Sequence, residues 1–100
     1  MNFAVSKNGV IIRLTEERWF HIIENHDELA GYYDDVLLAV EEPDYIIRGY
    51  GGALIALKKK GEGKFLAVIY KETEKDGFII TAYFTKKIRL DREEIVWKRE

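Results

Sequence analysis

The sequence predicts an α+β domain, with two N-terminal helices packed on a four-stranded antiparallel β-meander. Two observations predict it. Apolar residues recur at helical spacing in the front of the chain, and the back consists of short β-rich runs split by turn residues. The 100 residues, 47% hydrophobic and 13% aromatic, are enough for one core, so residues 1–100 are expected to form a single domain. With 34% charged residues and one proline, the chain lies far from the composition of disordered proteins.

Taken in order, a short apolar stretch, VIIRL at 10–14, precedes Thr15, an N-cap residue followed by Glu16 and Glu17, whose charge suits the first turn of a helix. In that first helix Trp19, Ile22 and Ile23 share one face and Phe20 widens the stripe; the end is expected near Asn25 or His26. A second helix is expected from about Glu28 or Leu29 to Glu41, with Tyr33, Val36, Leu37 and Val40 at helical spacing, Gly31 weakening its start and Pro43 stopping it. Then DYIIRGY, ALIALKKK, FLAVIYKE and FIITAYFT read as four strands, parted by GG, GEGK and TEKDG. Asp76-Gly77 is a favoured hairpin turn. A last patch, EIVW at 94–97, adds an edge strand or packs across the sheet. Alternation in the fourth strand predicts Phe78, Ile80, Ala82 and Phe84 against the helices, with Ile79, Thr81, Tyr83 and Thr85 on a partly polar opposite face.

The overall balance excludes several classes. Sixteen basic against 18 acidic residues give a net charge of −2, without the broad positive field of a duplex-DNA binder. Cysteine is absent, so neither disulfides nor thiolate metal sites are available. No apolar run approaches the roughly 20 residues of a membrane span, and MNFAVSKNGV lacks the apolar core of a secretion signal. A soluble cytoplasmic protein is expected. High Lys and Glu with little Asn or Gln resemble thermophile usage.

The chemistry concentrates in HIIENHDE, residues 21–28, which holds both histidines. His21 and His26 are five apart, about 140° round an ideal helix, whereas two ligands gripping one ion from one helix need i, i+3 or i, i+4 spacing. The spacing therefore argues against a metal site. General acid–base catalysis asks less, because one imidazole within reach of a hydroxyl suffices. A plain helix end, with one imidazole capping the C-terminus and the other solvated, stands beside it.

The run RWFHIIENHDELAGYYDDVLLAVEEPDYI, followed by the strands and then DGFIITAYFT, resembles the phage-associated nuclease-like family grouped with barnase, EndoU, colicin nucleases and RelE, the BECR-fold toxin-like ribonucleases. The likeness spans about residues 13–98. It rests on an aromatic then His-Ile early in the first helix, a second His followed by an acid at its end, the EEPD stop and the ITAYFT strand. The resemblance implies metal-independent endoribonuclease activity, without a cofactor, on RNA, and an antitoxin partner if the chain is the toxin of such a pair. By the same resemblance His21 and His26 would be acid and base, Arg48 and Lys58 would neutralise the phosphate, and Thr81 and Tyr83 would hydrogen-bond it. Asn25 departs from the pattern, since relatives often carry an arginine there, and one cation is lost with it. Two other readings remain: a catalytically silent RNA- or protein-binding module on the same fold, and a homodimer with Tyr32, Tyr45, Tyr50 and Trp97 as interface aromatics.

Overall fold

The structure, a computed structural model, describes residues 2–100. It differs from the expected four-stranded antiparallel meander: two helices lie on a seven-stranded mixed sheet. In chain order the elements are β1 (Phe3–Val5), β2 (Ile11–Arg13), α1 (Glu16–Asn25), α2 (Tyr33–Glu41), β3 (Tyr45–Arg48), β4 (Leu54–Lys59), β5 (Phe65–Glu72), β6 (Gly77–Thr85) and β7 (Ile95–Lys98). The sheet order is β1-β2-β6-β5-β4-β3-β7. The expected meander is only its centre, β3 to β6; β7 takes one edge, where EIVW is expected as an edge strand or a patch across the sheet, and the unforeseen strands are at the other edge. An N-terminal hairpin joins β6 through a parallel pairing, β2 with β6, while β7 pairs antiparallel with β3.

Short strands explain why the hairpin escapes sequence reading. β1 and β2 have three residues each, with one buried residue apiece, Ala4 and Ile12, too few to show alternation. Their connection is tied to the sheet by side chains instead. The Ser6 hydroxyl donates to Glu72 at 2.5 Å and the Asn8 amide donates to the same carboxylate at 2.9 Å. Lys7 reaches further: its ammonium lies 5.1 Å from the ring centroid of Trp97 on β7 and 3.6 Å from Glu42. A loop at one edge of the sheet thus touches the strand at the other edge, so the sheet is strongly curled.

Helix α1 forms as its sequence predicts. The Thr15 hydroxyl accepts from the Arg18 N–H at 3.1 Å, and the His26 N–H donates to the Ile22 carbonyl at 2.8 Å, closing the last turn. Ile22 is buried and Trp19 and Ile23 are half-buried, but Phe20 is 59% exposed and does not extend the buried stripe. α2 begins four or five residues later than expected. Asp27–Leu29 form a separate 3-10 turn, and Gly31 at φ 89° breaks the chain before Tyr33. Val36, Leu37, Ala39 and Val40 are then buried against the sheet.

The main core lies between helices and sheet: Ile12, Leu14, Ile22, Leu29, Val36, Val40, Leu66, Val68, Tyr70 and Ile79 are all at most 2% exposed. Each such aliphatic side chain contributes roughly 1.5–3 kcal/mol by leaving water. A smaller core occupies the opposite face, where Ile47, Leu57, Phe65 and Ala67 pack with Tyr45, Ile55, Tyr83, Ile88 and Leu90. The segment after β6 therefore folds back over a face expected to be open and partly polar.

Two details of β6 correct the expected pattern. A bulge between Ile69 and Tyr70 of β5 leaves Ile80 as an extra residue, with Ile69 opposite Thr81 and Tyr70 opposite Ile79. Beyond it Ala82 and Phe84 face the helices as expected, but before it the faces invert, burying Ile79 and exposing Phe78. Asp76-Gly77 is also not the turn centre. The turn is closed by Thr73, whose N–H donates to the Asp76 carbonyl at 2.6 Å, and Gly77 is already in the strand. Arg13 donates to Asp76 at 2.6 Å, and that guanidinium holds the carboxyl below its ordinary pKa.

Candidate functional site along helix α1 and strand β6

Because β2 pairs with β6 only at Gly77 and Phe78, the rest of β6 has no strand on that side among the described residues, and α1 packs there. Residues of one helix are thereby laid beside residues of one strand edge. Arg18, His21, Ile22 and Asn25 of α1 line a depression of about 190 Å³ with Ile80 and Thr81 of β6. Arg18 and His21 face it together because they are three apart on the helix. The Asn25 amide donates to the His21 carbonyl at 2.9 Å, fixing the last turn beside the hollow.

His26 reaches the same strand two residues further on. Counted as helical it would point about 140° from His21, but it is the C-cap, with φ −138° and ψ 70°, and the helical count ends there. Its half-buried ring packs against Tyr83 with centroids 5.7 Å apart, and its Nδ1 is 3.9 Å from Glu28. Thr81 and Tyr83 point the same way from β6, about 7 Å apart at strand spacing. One imidazole thus lies by each hydroxyl-bearing residue.

The two strand cations of the expected set sit elsewhere. Lys58 on β4 donates from its ammonium to the Glu42 carbonyl at 2.8 Å. It belongs to a knot around the EEPD stop, where the Lys59 N–H donates to Asp44 and Arg99 holds both Glu42 and Asp44. Arg48 on β3 is paired with Glu94 at 3.1 Å. It does line a groove of about 540 Å³ with Tyr83, Ile80, Ile55, Ile69 and Tyr50, on the face away from the helices. Ile80 borders both the groove and the depression, so the two hollows meet at β6.

Of the six expected residues, His21 and Thr81 share the depression, His26 and Tyr83 pack together beside it, Arg48 stands across the groove and Lys58 is structural. The cation in the depression is Arg18, which sequence reading does not single out. Its i, i+3 relation to His21 is the signal that could have found it, once α1 is placed. Tyr50, 99% exposed at the rim of the groove, is in the sequence only one aromatic among several. Among the described residues, no three imidazole or carboxylate side chains converge as a metal-binding group. No described helix is long and apolar enough to cross a membrane.

Comparison with protein-family models, with curated proteins and with solved structures yields no match.

Proposed function

We propose that the α1–β6 seam cleaves RNA without a metal, as an endoribonuclease. The observation that carries this reading is the convergence of Arg18, His21 and Thr81 on one depression, with His26 on Tyr83 beside it. The reaction needs those groups. A base removes the proton of the ribose 2'-hydroxyl, whose oxygen attacks the adjacent phosphorus. An acid returns a proton to the departing 5'-oxygen, leaving a 2',3'-cyclic phosphate. Two imidazoles spaced along a strand suit attack on one side of phosphorus and departure on the other. Arg18 supplies fixed positive charge for the crowded phosphate, and the Thr81 and Tyr83 hydroxyls donate hydrogen bonds to its oxygens.

The test is cleavage of a mixed-sequence RNA in EDTA, with the product ends identified. Wild-type protein is expected to yield cyclic phosphate ends, and His21→Ala and His26→Ala each to lower the rate by about 10²–10⁴-fold. Arg18→Ala is expected to reduce it through loss of the charge facing the phosphate. Folded wild-type protein that leaves RNA intact, or histidine variants as active as wild type, would contradict the proposal.

A second reading has its own observation. The groove opposite the helices is lined by five isoleucines, Ile47, Ile55, Ile69, Ile80 and Ile88, and Tyr50 stands free at its rim. That surface favours a binding module without catalysis, a protein or RNA segment lying along the groove. RNA or peptide retention that Tyr50→Ala abolishes, with no cleavage, would select it.

A further inference from the structure

We propose that β7 is a self-pairing edge, to which a second copy of this chain adds antiparallel across a twofold axis. β7 ends the sheet, with β3 on its inner side only. The strand is held there at both ends, by the Arg48 N–H donating to the Glu94 carbonyl at 3.0 Å and the Arg99 N–H donating to the Asp44 carbonyl at 3.0 Å. Half of an edge strand's backbone groups point outward and template another strand. Ile95 and Val96, 41% and 39% exposed, add apolar surface to that edge.

The order of charges identifies the occupant. Residues 93–99 read EEIVWKR, and reversing the segment about Val96 sets opposite charges against each other on both sides of it, Glu93 with Arg99 and Glu94 with Lys98, while Arg92 lies in a 3-10 turn outside the pairing. Ile95 then faces Trp97. Opposite charges directly across an antiparallel pair stabilise it, and like charges oppose it, so a parallel or unrelated edge is disfavoured. A twofold contact is self-complementary and closed, which turns an exposed apolar edge from an aggregation hazard into a dimer.

Three features of β7 bear on the fit. A bulge leaves Val96 extra relative to β3, which twists the strand and shifts the pairing by one residue. A one-residue slip would keep only one opposite-charge pair on each side of the axis and set Ile95 against Lys98 or Glu94 against Trp97, so the sequence favours the register centred on Val96. Glu94 and Arg99 also have partners within the chain, Arg48 for the first and Glu42 and Asp44 for the second. Glu93 and Lys98 have no ion pair among the described residues and are the charges most available to the second copy. A four-residue edge is small beside standard interfaces of roughly 1,200–2,000 Å², so the dimer is expected to be weak and dependent on concentration.

Sedimentation of the whole chain from about micromolar to about millimolar concentration tests this, with folding of each variant checked by circular dichroism. The wild-type mass is expected to rise toward twice the chain mass. Lys98→Glu alone, and Glu94→Lys alone, are each expected to remain monomeric, because each sets like charges across the twofold where residue 94 faces residue 98. Mixed in equal amounts, the two variants are expected to recover the wild-type dimer. A wild type that stays monomeric at the highest concentration would overturn the proposal. So would a dimer indifferent to charge reversal, or two folded variants that fail to associate when mixed. The result does not depend on whether the chain cleaves RNA.

Discussion

At the scale of single residues, His26 and Tyr70 show how placement decides what a polar group can do. His26 reaches β6 because it leaves the helix as its cap, so the angle that separates it from His21 in an ideal helix does not apply. Spacing alone could not reveal this, since a cap conformation depends on the structure of the next residues, here a 3-10 turn over Asp27–Leu29. Tyr70 shows the opposite case, a polar atom without a task. Its ring is fully buried and its hydroxyl has no hydrogen-bond partner among the described residues. Burial, with the charge of Glu72 nearby, pushes that hydroxyl's pKa up. An unpaired buried hydroxyl costs about 1–3 kcal/mol. Tyr70→Phe is therefore expected to stabilise the fold by about 1 kcal/mol, seen as a rise in melting temperature of roughly 4–8 °C. A lower melting temperature would show that the hydroxyl is satisfied in the folded chain.

At the scale of elements, the sequence was most legible where a pattern ran long. α1, with its Thr15 cap, and the four central strands lie close to where periodicity puts them, because each carries at least one complete repeat and a turn residue at its boundary. β1 and β2 did not, being three residues each. The bulge at Ile80 was invisible too: FIITAYFT alternates without interruption, and only pairing with β5 forces an extra residue out of register. Gly77 records how tightly these elements meet. It pairs with Ile12 on one side and Glu72 on the other, and a Cβ there would stand 2.6 Å from the Lys71 carbonyl and 2.5 Å from the Ile12 side chain. Gly77→Ala is expected to cost roughly 1–3 kcal/mol, because the Ile12 side chain can turn aside but the Lys71 backbone of β5 must shift. Denaturant unfolding would measure it, and an unchanged midpoint would mean that the β5–β6 pairing yields without cost.

At the scale of the whole molecule, closure of the curled sheet decides what is covered and what is left open. Sequence order suggested helices first, strands after and a C-terminal edge strand, but not that the N-terminal segment would form a strand pair at the other edge. That outcome depends on contacts between distant residues, such as Lys7 with Trp97 and Arg99 with Asp44. The same closure ties Lys58 into the EEPD knot and Arg48 to Glu94, leaving Arg18 as the cation of the depression. With so few candidate phosphate contacts and a net charge of −2, the proposed site would hold RNA by local geometry more than by a broad field. The most direct measurement is therefore of place. Backbone and imidazole NMR spectra would be recorded as a short RNA carrying a single 2'-deoxy sugar, and so resistant to cleavage at that linkage, is added. Shifts centred on Arg18, His21, His26, Thr81 and Tyr83 are the expected result. Shifts confined to Tyr50 and the isoleucine groove, with both imidazoles unmoved, would contradict the assignment of the α1–β6 seam as the site.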